Sequence, residues 1–113
     1  MIKAVFYTRN DKIFGLKIDG HAYYGGFFAK DVVCASVSAL VINTLNSISK
    51  YTKDKLEVKE YRSGLIKFKI DGAISPQSDL LLKSLQLGLT DIYGEYGDKY
   101  IRVYFREVKS CLR

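Results

Sequence analysis

The pattern of apolar and polar positions along the chain predicts five β-strands. Residues 13–19 place Phe14, Leu16 and Ile18 on one face, and this period of two is typical of a half-buried strand. A turn-forming run, RNDK at 9–12, precedes that strand and predicts a hairpin with the strand before it. In the last strand, Ile101, Val103 and Phe105 are expected to point inward. The five predicted strands are residues 2–8, 13–19, 56–61, 65–70 and 100–106.

Two other stretches have the 3.6-residue period of helices. The first runs from Val32 to Ile48 without Pro or Gly, and Asp31 before it is a favourable N-cap residue. Its apolar residues are Val33, Val37, Leu40, Val41, Leu45 and Ile48. Because this helix is apolar almost all round, we expect it to be central and well covered.

The second helix has a start and a stop in the sequence. Ser75 is its predicted N-cap, Pro76 its first residue, and Gly94 and Gly97 are predicted to end it. Its apolar stripe consists of Leu81, Leu82, Leu85, Leu89 and Ile92. The resulting order, ββαββαβ, predicts an α+β single-domain layered fold, with a mostly antiparallel sheet and two helices over residues 1–113.

Composition and charge restrict the class of protein. Hydrophobic residues make up 48% of the 113 residues and charged residues 27%, which is ordinary for a globular domain. No continuous apolar run reaches the roughly 18 residues of a membrane span, and the N-terminus has no signal-peptide pattern. We therefore expect a cytoplasmic protein without a membrane role, in which Cys34 and Cys111 are thiols rather than a disulfide. The chain has only three Cys and His residues, so we expect neither a structural zinc site nor a cofactor.

The net charge of +6 leaves two interpretations open. Five Lys or Arg residues and one Glu lie between Lys99 and Arg113. Such a surface either contacts RNA or simply keeps the protein soluble, and no RNA-binding motif decides between the two.

The stretch from residue 20 to residue 38 contains the candidate chemistry. If Asp31 is the N-cap, Cys34 lies in the first helical turn, where unpaired N–H groups and the helix dipole stabilise a thiolate. His21, at the end of a strand, is the candidate base that takes the thiol proton and returns it to a leaving amine. The same N–H groups could stabilise an oxyanion.

Each of these residues also has a purely structural interpretation. Cys34 suits the core as a small apolar residue, and His21 suits a structural hydrogen bond. Asp31 is either a cap or the third member of a triad, and Ser38 bonds near Cys34 or to its own helix. The glycines and aromatic residues of the loop serve turn geometry and packing, or else line a substrate pocket. These loop residues are Gly20, Tyr23, Tyr24, Gly25, Gly26, Phe27 and Phe28.

Three segments in this order, GHA, KDVVCASVS and INTLNSI, resemble the ribosomal-processing cysteine protease family, Prp. The tight match covers residues 20–48, and the sequence departs from the family pattern at Ala29, where Gly is usual. The resemblance implies that Cys34 is the nucleophile and His21 the general base, with Asp31 and Ser38 in support.

The resemblance also implies partners. The implied substrate is a ribosomal protein precursor, the bacterial large-ribosomal-subunit protein twenty-seven, whose N-terminal extension is removed after an aromatic residue before ribosome assembly. A homodimer is implied as well. Two alternatives remain at this point: a non-catalytic ribosome-associated module that contacts ribosomal RNA, and a hydrolase of small amides or esters that uses the same Cys and His.

Overall fold

A computed structural model describes residues 1–20, 27–62 and 64–109, and for 27–31 it describes the backbone only. The strands are β1 (Ile2–Arg9), β2 (Lys12–Asp19), β3 (Lys55–Arg62), β4 (Leu65–Asp71) and β5 (Ile101–Glu107). The helices are α1 (Phe27–Tyr51) and α2 (Pro76–Tyr96). The predicted order ββαββαβ is therefore confirmed, and each predicted strand lies within one residue of its observed bounds at either end.

The five strands form one sheet in the order β3-β4-β2-β1-β5. Three of the four neighbouring pairs are antiparallel, and only β1 and β5 run parallel. The mostly antiparallel α+β fold is thus confirmed. The predicted hairpin between β1 and β2 turns at Asn10 and Asp11, which both have positive φ, as a two-residue type I′ turn requires.

The core lies between one face of the sheet and the two helices. Alternate residues of β1, namely Ile2, Ala4 and Phe6, are at most 3% exposed, because the period of two places them all on the helix side. Phe68 and Ile70 of β4 continue this layer. All described strands and both helices share this single core.

Helix α1 begins earlier than the sequence pattern predicted. It starts at Phe27, four residues before Asp31, so the prediction that Asp31 is the N-cap is wrong. The physical reason is that Phe27 to Lys30 contain no Gly or Pro, and nothing in them prevents helical propagation once the helix is formed. Aspartate is only statistically preferred as an N-cap, and in α1 the residue at 31 lies inside the helix instead.

Helix α1 is also less covered than its composition suggested. Val33, Val37, Val41, Leu45 and Ile48 are buried as expected. The opposite side is exposed and carries Ala35, Ser38, Ala39, Asn43, Asn46 and Ser49. The expectation of a well-covered helix is therefore wrong, since one side only packs on the sheet and on α2.

One segment of α1 has the length and mean hydropathy of a membrane span, although polar residues interrupt its apolar run. Val32–Tyr51 has a mean hydropathy of 1.6. In this fold its buried residues belong to the core of the domain. The core helix of a globular domain can have the same length and hydropathy, so the segment is weak evidence for a membrane role.

The predicted start of α2 is confirmed in detail. Ser75 is the N-cap, its hydroxyl accepts a hydrogen bond from the Ser78 N–H at 3.1 Å, and Pro76 follows. Asp54 accepts bonds from the backbone N–H and the hydroxyl of Ser75, at 2.9 and 2.8 Å. The loop before β3 is therefore fastened to the start of α2.

The predicted end of α2 is half right. Gly97 is the C-cap, and its N–H donates to the Tyr93 carbonyl oxygen at 2.8 Å. Gly94 instead lies inside the helix, so its predicted role as a terminator is wrong. A single glycine in a helix costs only about 1 kcal/mol relative to alanine, which packing readily overrides.

One residue of the last strand points to the predicted face of the sheet but is not buried there. Burial falls along β5: Ile101 is buried and Val103 half-buried, but Phe105 is 56% exposed. Phe105 lies on the helix side of the sheet and its ring stacks on Phe6, with centroids 5.7 Å apart. Because β5 is an edge strand whose far end the helices leave uncovered, alternation alone overestimated its burial.

Candidate active site

A cavity of about 370 Å³ opens where α1 passes the end of β2 and the β3–β4 turn. Residues of strands β1 to β4, of helix α1 and of the β3–β4 turn surround it. The residues that line it are Ile2, Ile18, Gly20, Cys34, Val37, Ser38, Ile42, Tyr61, Arg62, Gly64, Leu65 and Ile66. Most of the lining that the structure describes is apolar, and Cys34 contributes a thiol to it.

Cys34 lies where a nucleophile should be. Its side chain is half-buried, packs against the core and faces the cavity, and it is not part of a disulfide. Val33 and Val37 on either side of it are buried, so the helix that carries the thiol is held firmly on the sheet. A reacting atom in the cavity would therefore meet a sulfur of defined position.

The helix-terminus argument for activating this thiol is wrong. Cys34 is the eighth residue of α1, about two turns from its start at Phe27. The dipole effect fades within the first turn, and N–H groups beyond that turn are bonded inside the helix. If Cys34 is the nucleophile, other groups around the cavity would have to activate the thiol and stabilise an oxyanion.

Ser38 follows Cys34 by one helical turn and lines the same cavity. The spacing of four residues puts the two side chains on one face of the helix. Ser38 is exposed, so its hydroxyl is available to a bound substrate. The structure thus brings together two of the four residues predicted for catalysis and its support.

Gly20, the last described residue before His21, lies at this cavity. It lines the cavity, and its N–H donates to the Gly64 carbonyl oxygen at 2.8 Å. Residues with a side chain rarely adopt its φ of +97°. A Cβ at this position would also clash with the Met1 carbonyl oxygen. The residue after Gly20 is His21, so the predicted base is attached to the rim of the cavity by one peptide bond.

Several predicted site residues lie outside the described part of the chain. These are His21, Tyr23, Gly25 and Gly26. Phe27, Phe28 and Asp31 lie in α1, but the structure describes only the backbone of these three residues. Their roles remain predictions. Cys111, which is predicted only to be a thiol outside any disulfide, also lies outside the described residues.

The sequence interpretation missed the β3–β4 side of the cavity. Tyr61, Arg62, Gly64, Leu65 and Ile66 all line it. The sequence pattern at these residues predicts only two strand ends and a turn. No local feature indicates that this turn lies beside α1. The pairing of β4 with β2, which opposes Leu65 to Asp19, creates that proximity.

The charged groups at the cavity are few. Arg62 is the charged residue of the described lining, and its Nε lies 3.8 Å from a carboxylate oxygen of Glu60. Within the ranges that the structure covers, no three His, Cys, Asp or Glu side chains form a group that could hold a metal. What the described lining offers is a thiol, a hydroxyl and an apolar surface.

Comparison with known proteins gives the class and then the family. A family model described as "Cysteine protease Prp" matches residues 1–102, so this protein is a cysteine protease. The chain belongs to the Prp family. The predicted family and the prediction of a cysteine protease are therefore confirmed.

Individual relatives agree with this assignment. The ribosomal processing cysteine protease Prp of Staphylococcus aureus, found in strains Mu50 and NCTC 8325, is 26% identical over 102 residues. That match covers 88% of this chain and 94% of the relative.

Solved structures share the fold. The S. aureus Prp structure with a covalently linked product peptide has a TM-score of 0.83 at 24% identity, covering 94% of this chain and all of that one. The structure of SMU.848 from Streptococcus mutans has a TM-score of 0.78 at 24% identity, covering 96% of each chain. The two-layer fold is thus that of the Prp structures.

Proposed function

We propose that this chain is a ribosomal processing endopeptidase of the cytoplasm. Its substrate would be the precursor of large-ribosomal-subunit protein twenty-seven, from which it removes the N-terminal extension before assembly. The observation that carries the proposal is the Cys34 side chain, which faces an apolar cavity beside the end of β2 and the β3–β4 turn. Membership of the Prp family and the name of the S. aureus relative support the substrate class.

In the proposed first half-reaction, the imidazole of His21 takes the proton from the Cys34 thiol. The sulfur attacks the scissile carbonyl carbon, and a C–S bond forms as the carbonyl π electrons move to oxygen. Collapse of this tetrahedral intermediate breaks the C–N bond. The leaving amine takes the proton from the His21 imidazolium, and the N-terminal fragment of the substrate stays on Cys34 as a thioester.

In the second half-reaction, water replaces the amine. His21 takes a proton from the water as its oxygen attacks the thioester carbonyl carbon. Collapse breaks the C–S bond, the sulfur regains the proton from His21, and the carboxylic acid product leaves. The protein returns to its starting state without any cofactor.

Substrate recognition is proposed to use both sides of the cavity. Ile18, Val37, Ile42 and Leu65 provide an apolar surface that suits an apolar or aromatic side chain beside the scissile bond. On the other side, the loop of Gly20, Tyr23, Gly25, Gly26, Phe27 and Phe28 would contact the peptide. Gly20 already lies in the described lining.

Two further residues are proposed in support. Ser38 lies on the cavity wall one helical turn after Cys34, and this position supports its assignment. Asp31 is proposed to orient or polarise His21, as the family resemblance implies. The capping role that competed with this one is removed, because Asp31 lies inside α1.

A homodimer is also proposed from the resemblance. The exposed face of α2 offers apolar area for such an interface, since Leu80 and Leu87, two turns apart, are 68% and 59% exposed. The molar mass from light scattering during size-exclusion chromatography tests this part independently. A mass of 12.8 kDa at micromolar concentration would contradict the dimer.

The decisive experiment is incubation with a panel of peptides that span the N-terminal extensions of ribosomal protein precursors, followed by mass spectrometry. We expect one internal cleavage in the extension of protein twenty-seven. A matched set of short amide and ester substrates should remain intact. Hydrolysis of these alone would favour the small-substrate alternative.

Cys34→Ser is the control for the role of the nucleophile. The change is nearly isosteric, so the fold should be kept while cleavage is lost. Cleavage by Cys34→Ser at the wild-type rate would end the proposal. If Cys34→Ser loses both cleavage and the folded state, the measurement is repeated with Cys34→Ala.

A further inference from the structure

The side of the sheet away from the helices carries a dense set of cations. Residues on it alternate with the core residues along each strand, so Lys3 lies between buried Ile2 and Ala4. We call this surface the open face and define it by Lys3, Lys17, Lys67, Lys69, Arg102 and Arg106. Both helices pack on the opposite side, and no element of the described chain covers it.

The strand register places like charges directly opposite each other. Lys17 on β2 opposes Lys67 on β4, and Lys3 on β1 opposes Arg102 on β5. Like charges in such cross-strand positions destabilise a sheet. Two such repulsive pairs on one surface are typical of a functional site, because a bound anion would remove the repulsion.

The carboxylates on this side do not neutralise it. Asp19, Glu57, Glu60 and Asp71 lie there, opposite Lys3, Lys69, Lys67 and Lys55. Arg102 lies 3.7 Å from a carboxylate oxygen of Asp98. Glu57 is shared by Lys59 and Lys69 at 3.1 and 3.9 Å, and Glu60 lies 3.8 Å from Arg62. Among the ion pairs of the described residues, none includes Lys3, Lys17, Lys67 or Arg106. These four cations remain available to a ligand.

Aromatic rings lie among the cations. Tyr104, 41% exposed, lies between Arg102 and Arg106 along β5, and the register sets Tyr7 opposite Arg106. Cations combined with exposed rings on a sheet suit single-stranded nucleic acid, because phosphates pair with Lys and Arg while bases stack on aromatic rings. A second copy of this chain would not suit the surface, since two such faces repel each other.

We propose that the open face binds single-stranded RNA through its phosphates, with Tyr104 as a stacking platform for a base. This differs from the stretch from Lys99 to Arg113 that the sequence indicated. Only the part of that stretch in β5 contributes, and Lys3, Lys17, Lys67 and Lys69 come from other strands. The proposal is independent of catalysis, because none of these residues lines the cavity of Cys34.

The test is fluorescence anisotropy with a labelled oligouridylate of roughly 12 nucleotides, a length within the usual site size. Binding is measured between about 50 and 200 mM salt, where phosphate contacts give a strong dependence. The double variant Lys17→Gln with Lys67→Gln should weaken binding and lower the slope of log K against log salt by about 1.4, or about 0.7 for each lost contact. Tyr104→Ala should weaken binding roughly fivefold or more.

Lys50→Gln with Lys53→Gln is the matched control, since it removes the same charge from exposed positions at the end of α1. It should leave the slope and the affinity nearly unchanged. Equal losses in both double variants would mean that net charge alone attracts RNA and would overturn the proposal. Absence of RNA binding at the lowest salt, or tighter binding to polyglutamate or to anionic lipid vesicles, would overturn it as well.

Thermal unfolding separates this role from a structural one. Because Lys17 and Lys67 repel each other across the strands, their replacement by glutamine should leave the melting temperature unchanged or raise it. Lower RNA affinity with equal or higher stability supports a binding site. A lower melting temperature with unchanged affinity would assign these lysines to the sheet itself and overturn the proposal.

Discussion

The N–H of Gly20 donates a hydrogen bond of 2.8 Å to the carbonyl oxygen of Gly64. This bond joins the end of β2 to the β3–β4 turn, and both residues line the cavity that Cys34 faces. Both also have positive φ. The attachment point of His21 is thus held by backbone contacts on the far side of the site from α1.

Gly20→Ala should therefore destabilise the protein and reduce activity together. The new Cβ meets the Met1 carbonyl oxygen, and the φ of +97° is itself strained for alanine. We expect a loss of about 1 to 3 kcal/mol in the free energy of unfolding by urea, before any cost of moving Met1. Gly72→Ala is the control, because its φ is +83° but no atom lies near its Cβ position. Equal losses in the two variants would refute the role of the clash.

Ser38→Ala should lower the turnover number and spare stability. Ser38 is exposed on α1 and lines the cavity, so its replacement leaves no buried gap. One lost hydrogen bond of about 1.4 kcal/mol corresponds to a tenfold lower rate. Steady-state cleavage and thermal unfolding are measured in parallel. Ser49→Ala, also exposed on α1 but outside the lining, should change neither, and an unchanged rate for Ser38→Ala would leave that hydroxyl without a catalytic role.

His21→Ala should lower the turnover number by roughly 10² to 10⁴, the usual contribution of general acid–base catalysis. The folded state should persist, which circular dichroism checks. The proposed base role would be wrong if the variant lost stability but cleaved at the normal rate per folded molecule.

Asp54 should make stability depend on pH in the acid range. Partial burial raises the pKa of Asp54, but hydrogen bonds from Ser78 and from the backbone and hydroxyl of Ser75 outweigh it, so the net pKa lies below the ordinary value. A lowered carboxyl pKa contributes stability above the unfolded-state pKa of about 4, and this contribution is lost as the pH falls through the folded-state pKa.

Asp54→Asn tests this linkage. At neutral pH we expect a loss of about 0.5 to 1.5 kcal/mol in unfolding free energy, because a charged acceptor of the two Ser75 bonds becomes neutral. The difference from the wild type should shrink as the pH falls below about 4. Asp71→Asn, a change at an exposed carboxylate 3.9 Å from Lys55, is the control and should have little effect. A difference for Asp54→Asn that stays constant with pH would contradict the linkage.

Gly94→Ala should stabilise the protein by about 0.5 to 1 kcal/mol. Gly94 lies inside α2, and nothing lies within 4 Å of a Cβ built on it, so alanine gains helix propensity without a clash. Gly88→Ala in the same helix should gain less, because its Cβ would lie 2.9 Å from Cδ1 of Leu40 on α1. Thermal unfolding of both variants measures the difference, and a larger gain at Gly88 would contradict the close packing of the two helices.

Local pattern by itself determined much of this protein. Alternation identified the strands, and the Ser75–Pro76 pair identified the start of α2, because these features depend on neighbours within a few residues. The order of His, Asp, Cys and Ser in one short stretch was enough to identify the family and the class of enzyme.

Other features depended on the tertiary structure. Asp31 has the residue type of a cap, but α1 extends past it to Phe27, since no Gly or Pro stands between the two to stop the helix. Gly94 lies within α2, because packing outweighs a preference of about 1 kcal/mol. The β3–β4 wall of the cavity, including Tyr61 and Leu65, depends on the pairing of β4 with β2, which no local window contains. The open face arises for the same reason, since strand register alone sets Lys17 beside Lys67, fifty positions away in the chain.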